Sequence, residues 1–210
     1  SVHSYDAELT PDGGVILSGY FWDGDLTIGS TVLTDQGGSN LYFTKINNSG
    51  NILWSKSISN SSTNSFLSQS IKNNSTGDIY IMDNFSGIID LDPGIGSHMT
   101  TANYQGVYLV KLNSDGDFIE AITFGETEGN NSNQMLANSI DIAKNDAIYI
   151  AGYFTGTQTI GDTTISEDSG QSTFLIKINS SGNPEWVKNF GGNMNSEPVL
   201  AADSENNVYL

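Results

Sequence analysis

The 210-residue chain has no cysteine and no arginine, only four prolines, and no long apolar run. The missing cysteine excludes disulfides, thiolate metal sites and a cysteine nucleophile, and it leaves the redox compartment undetermined. The missing arginine leaves seven lysines as the whole cationic complement: Lys45, Lys56, Lys72, Lys111, Lys144, Lys177 and Lys188. Set against 24 acidic residues they give a net charge of −17. That balance excludes nucleic acid as a partner, because neutralising phosphates and reading bases call for clustered Arg and Lys. It equally disfavours an anionic membrane surface. No apolar stretch reaches the roughly 18 residues of a spanning helix, so membrane insertion is not expected. No signal peptide is recognisable and the first residue is not Met, so a processed or excised N-terminus is expected.

What the chain does contain points to β-structure. Charged residues are only 15% and hydrophobic residues 37%, while glycine is abundant at 23. Asn, Ser and Thr make up the difference, as in many short strands joined by tight turns. The chain also repeats. VILSGYF (15–21), IYIMDNF (79–85) and IYIAGYF (148–154) align, and VYL (208–210) begins the same pattern. A second set aligns as LYFTKINNSGNILWSKSI (41–58), VYLVKLNSDGDFIEAITF (107–124) and FLIKINSSGNPEWVKNF (174–190). Lys45, Lys111 and Lys177 fall 66 residues apart, as do Asn47, Asn113 and Asn179, and Gly50, Gly116 and Gly182.

Each repeat reads as four strands: a short strand A, an apolar strand B, a variable stretch, strand C with the Lys-x-Asn signature, and strand D with Trp54 or Trp186. The three glycines are expected at positive φ in C–D hairpin turns. Strands B and C are apolar on almost every residue, so both faces should be covered. No helical period is present to cover them, which leaves sheet packed on sheet. Repeated four-stranded antiparallel units stacked in this way describe an all-β fold of the β-propeller kind, with a β-sandwich as the alternative. The expected units are blade 1 at about 4–66, blade 2 at 67–134, blade 3 at 135–196, and the start of a fourth at 197–210. Three blades fall short of the usual four to eight, so the segment is expected to belong to a larger propeller, completed by further blades of a parent protein or by another chain.

These residues resemble a known family. The pattern IYIAGYFTGT…FLIKINSSGNPEWVKNFGG looks like the seven-bladed-propeller type repeat of secreted bacterial proteins. The nearest flavour is that of Bacteroidetes surface proteins whose second strand ends in F-x-G-x-x-D-(F/L)-D-P-G. Here that element runs Phe85-Ser-Gly-Ile-Ile-Asp90-Leu-Asp92-Pro93-Gly94. The first and third repeats lack it. The second repeat has Asp83-Asn84 where the others have Gly-Tyr, and Glu120 where they have Trp. The resemblance implies a propeller scaffold, type IX secretion and an extracellular or cell-surface location. It brings no catalytic residue with it.

Candidate chemistry is sparse. Asp90 and Asp92 could hold calcium, since paired carboxylates and loop carbonyls suit a hard cation, or could cap an Asx-turn ahead of Pro93. Asp23 and Asp25 stand at a neighbouring position of the first repeat. His3 and His98 lie in different repeats and read as surface residues. Glu120, Glu126 and Glu128 could serve glycosidic chemistry or form a solvated acidic rim. A sialidase-type site is disfavoured, because there is no arginine and no complete Asp-box. Trp54 and Trp186 could stack on sugars, but recurrence at one repeat position favours packing. The recurring lysines are expected to pair with Asp or Glu. Asn60, Asn84 and Asn179 head Asn-x-Ser/Thr triplets, and Asp162-Thr163-Thr164 resembles an O-glycosylation acceptor. No other cofactor is expected. The chain therefore reads as a non-catalytic scaffold or interaction segment of an exported surface protein, engaging protein or glycan in adhesion. A glycan-binding lectin, or part of a polysaccharide-acting enzyme, is the alternative.

Overall fold

The computed structural model describes residues 1–60, 69–125, 134–191 and 197–210. Among them there is no helix. The first unit contains β1 (Val2–Leu9), β2 (Val15–Phe21), a small side hairpin of β3 (Leu26–Ile28) and β4 (Thr31–Leu33), then β5 (Ser39–Ile46) and β6 (Ile52–Asn60). The second contains β7 (Ser70–Asn73), β8 (Ile79–Asp90), β9 (Met99–Leu112) and β10 (Phe118–Phe124). The third contains β11 (Met135–Ile142), β12 (Ile148–Ile160), β13 (Thr163–Ile178) and β14 (Pro184–Asn189). A pair, β15 (Ala201–Ala202) and β16 (Val208–Tyr209), follows.

Strands adjacent in each unit pair antiparallel, in the orders β1-β2-β5-β6, β7-β8-β9-β10 and β11-β12-β13-β14. The first two units form one continuous sheet through a single bridge, Asn60 to Ile89. Strand A is longer than expected in units one and three, at eight residues each. A register shift at Ser4/Asp6, and again at Ala137/Ser139, lets the strand continue past a bulge. The strand B glycines allow this. A Cβ on Gly19 would sit 2.0 Å from the His3 carbonyl oxygen, and one on Gly152 1.9 Å from that of Leu136. The stretch expected to vary is itself strand in the later units, where β8–β9 and β12–β13 extend as long hairpins.

Alternate residues along strands B and C enter different cores, which is why these strands carry so few polar positions. Ile16, Leu41 and Phe43 of unit one pack on Ile79, Ile81 and Val110 of unit two. The opposite face of unit two, with Tyr80, Met82 and Leu109, packs on Ile148, Ile150 and Ile176 of unit three. Tyr149, Ala151 and Leu175 then meet Leu200, Ala202 and Val208. The units are thus stacked face to face with one apolar core per junction.

The first strands of successive units lie beside one another and are tied by polar bonds. Asp6 Oδ2 accepts from the Ile71 amide at 3.0 Å and the Ser70 hydroxyl at 3.2 Å. Lys72 pairs with Glu8 at 3.1 Å. Ser139 Oγ accepts from the Leu200 amide and Asp141 Oδ2 from the Ala202 amide. The amides that Asp6, Ser139 and Asp141 accept from each lie one position further along the next unit's first strand.

Candidate functional site

The repeat signature builds one turn three times. Asn47 Oδ1 accepts from the amides of Ser49 and Asn51, Asn113 Oδ1 from Asp115 and Asp117, and Asn179 Oδ1 from Ser181 and Asn183, all at 2.9–3.0 Å. Such Asx caps satisfy loop amides that the ladder leaves open. Gly50, Gly116 and Gly182 close these turns at φ of 82°, 78° and 76°, as their spacing predicts.

The lysines of the signature are ion-paired: Lys45 with Asp12 at 2.8 Å, Lys111 with Asp78 at 3.2 Å, and Lys177 with Glu185 at 2.6 Å. The Lys45 ammonium, helped by the Thr10 hydroxyl, holds the Asp12 carboxyl down at about 2. Lys45 Nζ and Trp54 Nε1 both donate to the Ser114 carbonyl at 3.3 Å, and Lys56 reaches Asp117 at 3.1 Å. The outer strands of unit one therefore grip the C–D turn of unit two. Trp54 also packs edge-on against Phe43, and Trp186 lies against Tyr149. Both tryptophans are packing residues. Glu120 takes the equivalent place in unit two, beneath Gly182 of unit three. Glu126 and Glu128 lie outside the described residues.

Between the outer edge of unit one and the overhanging β8–β9 hairpin of unit two is a groove of about 730 Å³. Its walls are the tip of β4, Ser55, Ser57 and Ser59 on β6, and Ile88, Asp90, Asp92, Pro93 and Met99. Lys56 is the cation in this wall. Asp90 Oδ1 accepts from the amides of Asp92 at 3.1 Å and His98 at 2.7 Å, and Asp92 Oδ1 from Gly94 at 2.7 Å. Burial works against ionisation of Asp90, yet these amides hold its carboxyl below the usual range. The two carboxylates serve as caps of their own loop. Among the described residues no third Asp, Glu or His joins them in a metal-binding group. Asp25 and Asp35 likewise cap the loops flanking the β3–β4 hairpin.

The histidines lie apart. His3 stacks on Trp22 at 5.0 Å and His98 leans on Phe118 at 5.2 Å. Asn84 is buried and hydrogen-bonded, so its triplet is closed to modification. Asn179 is occupied as a turn cap. The residues after Asn60 in its triplet lie outside the described ones. Thr163 and Thr164 stand at the tip of the β12–β13 hairpin, with Thr164 exposed.

In sequence, Asp83-Asn84 stands out as a departure from Gly-Tyr, with Asn84 heading a glycosylation-type triplet. In the structure these two residues carry a cluster of buried polar contacts. Asp83 Oδ2 accepts from the Tyr20 hydroxyl of unit one at 2.5 Å and from Tyr108 at 3.4 Å, and Oδ1 accepts from the Asn84 amide. Asn84 bonds both ways to the backbone of Ala137 in unit three, at 2.8 Å each. The available signal was two polar residues inside an otherwise apolar strand B.

No protein-family model matches the chain, and no curated protein matches it.

Proposed function

We propose that the chain is a segment of a β-propeller that serves as a non-catalytic scaffold or interaction module in an exported bacterial cell-surface protein, with protein or glycan as its partner. The observation that carries this reading is the stacking. Three four-stranded antiparallel units lie face to face, with their first strands side by side and an apolar core at each junction. Propeller blades pack in this way around an axis. Further support comes from the way the singled-out residues are used: lysines, asparagines, glycines and tryptophans all hold turns and junctions. The groove beside β6 offers hydroxyls, carboxylates and an ion-paired lysine, which suit hydrogen bonding to a polar partner.

Two measurements test the reading. Protease added to intact cells of the producing bacterium should release epitopes of this chain, and protection until lysis would overturn the surface assignment. A reducing-end assay over a panel of polysaccharides should show no turnover, and turnover would favour the enzyme alternative.

A further inference from the structure

Asp83 is fully buried in the core between units one and two, and among the described residues its carboxylate meets no cation. It occupies the strand B position at which Gly19 and Gly152 stand in the neighbouring units. The groups around it come from several elements. Tyr20 of β2 and Tyr108 of β9 offer their hydroxyls, and Asn84 of β8 its amide. Tyr5 of β1 stands edge-on to Tyr20 at 5.3 Å. β5 contributes Leu41 and Phe43 to the same core. The charged residues Asp6 and Glu8 of β1 are committed elsewhere: Asp6 to β7 amide and hydroxyl, and Glu8 to Lys72.

We propose that Asp83 is a proton-operated latch across the junction of the first and second units, closed when its carboxyl is protonated and loosened when the proton leaves. In the protonated state the carboxyl O–H donates to a tyrosine oxygen, which can accept as well as donate. On ionisation the proton passes to solvent and that tyrosine hydroxyl turns to donate, so Asp83 accepts from Tyr20, Tyr108 and the Asn84 amide but becomes an unpaired charge in an apolar core. Burying such a charge is unfavourable even with hydrogen bonds. Burial raises the Asp83 carboxyl to about 7, against the lowering effect of the hydrogen bonds from Tyr20, Asn84 and Tyr108. The same burial, with the Asp83 carboxylate alongside, pushes both tyrosine hydroxyls upward, so the tyrosines stay protonated as donors.

The sign follows from linkage. The folded value lies above the ordinary 3.8, so the folded state binds more protons than the unfolded one between about 4 and 7. Stability from this group is full at the acid end of that window and is lost as pH rises through it. Between pH 5 and 8 the unfolding constant should rise on the order of 100-fold from this group alone.

The test is urea denaturation of the 210-residue chain from pH 5 to 8, run in parallel on Asp83→Asn. Both proteins keep His3 and His98, so the difference between the curves isolates Asp83. The wild type should lose stability across the range relative to D83N, and parallel curves would overturn the latch. Should D83N fail to fold, Tyr20→Phe takes its place. Losing the 2.5 Å donor should extend the decline to higher pH, and an unmoved profile would overturn the proposal. Hydrogen exchange, corrected for intrinsic rate, locates the effect. Segments 15–21 and 79–85 should open faster at pH 8 than at pH 6 while 148–154 does not. Uniform acceleration over all three would overturn the assignment to this junction.

Discussion

Three glycines in equivalent turns differ in what lies beneath them. A Cβ on Gly50 would meet none of the described residues within 4 Å. One on Gly182 would touch the Glu120 carboxylate at 3.5 Å, an ordinary contact with a flexible group. One on Gly116 would press on the Trp54 indole at 3.1 Å and on Lys56 at 3.2 Å. All three share the left-handed backbone, which costs an L-residue about 1–2 kcal/mol. Gly50→Ala and Gly182→Ala should therefore lose about that much. Gly116→Ala should lose visibly more, because the indole is rigid and already fixed by Phe43 and by its bond to Ser114. Urea midpoints at constant m-value measure the ranking, and equal losses at all three sites would contradict it. The left-handed position in the A–B turns is used differently. It is glycine at Gly13 and Gly77 but Asp146 and Asn206 in the later units. There the side chain repays the strain by bonding the neighbouring unit's turn: Asp146 accepts from the Ser75 amide and hydroxyl, and Asn206 from the Asn145 amide.

At the scale of elements, strands of neighbouring units are held together by side chains that imitate backbone. Asn84 presents both an amide donor and a carbonyl acceptor to Ala137, so β8 clasps β11 as an added strand would. Asn84→Ala would leave the buried Ala137 N–H and C=O unpaired, and each orphaned group costs about 1–3 kcal/mol. The variant should lose about 3 kcal/mol and show faster exchange at Ala137. Unchanged protection there would refute the clasp. This clasp also marks how far the sequence could be read. The four-strand repeat, the covered faces of strands B and C and the C–D turns were legible, because each leaves a local mark: a fixed spacing, a run without polar residues, or Asn three residues before Gly. The clasp, the Tyr20–Asp83 contact and the seating of Trp54 under Gly116 join residues 53–63 positions apart, and no local pattern encodes the partner. The length of strand A was hidden as well. Its extra residues follow a bulge, and the Gly19 that permits the bulge reads in sequence like any other strand glycine. The groove was hidden for a related reason, because it forms only where β8 and β9 overrun the edge of the preceding unit.

At the scale of the whole molecule, equivalent positions have unequal surroundings, and that inequality yields a decisive comparison. Val15, Leu17, Thr44 and Ile46 of the first unit correspond to Ile79, Ile81, Val110 and Leu112 of the second and to Ile148, Ile150, Ile176 and Ile178 of the third. In units two and three all eight are essentially inaccessible, because the preceding unit covers them. In unit one Val15, Leu17 and Ile46 are only half-buried. Apart from the buried Thr44 the face is apolar in all three, so equivalent side chains are fully covered in units two and three and only half covered in unit one. A lysine placed at Ile81 or Ile150 would bury an ammonium with no counter-ion among isoleucines. That mechanism exceeds about 4 kcal/mol and consumes much of a domain's net stability. A lysine at Leu17 can lay its stem along the sheet and carry its charge into water, at a cost within about 1 kcal/mol. Leu17→Lys should therefore keep a cooperative urea transition close to that of the parent chain. Ile81→Lys and Ile150→Lys should lack one or shift it far to low denaturant. A Leu17→Lys protein as damaged as Ile81→Lys would mean that the first unit's outer face is covered in solution, and sedimentation of the parent chain would then have to show a second copy seated on it.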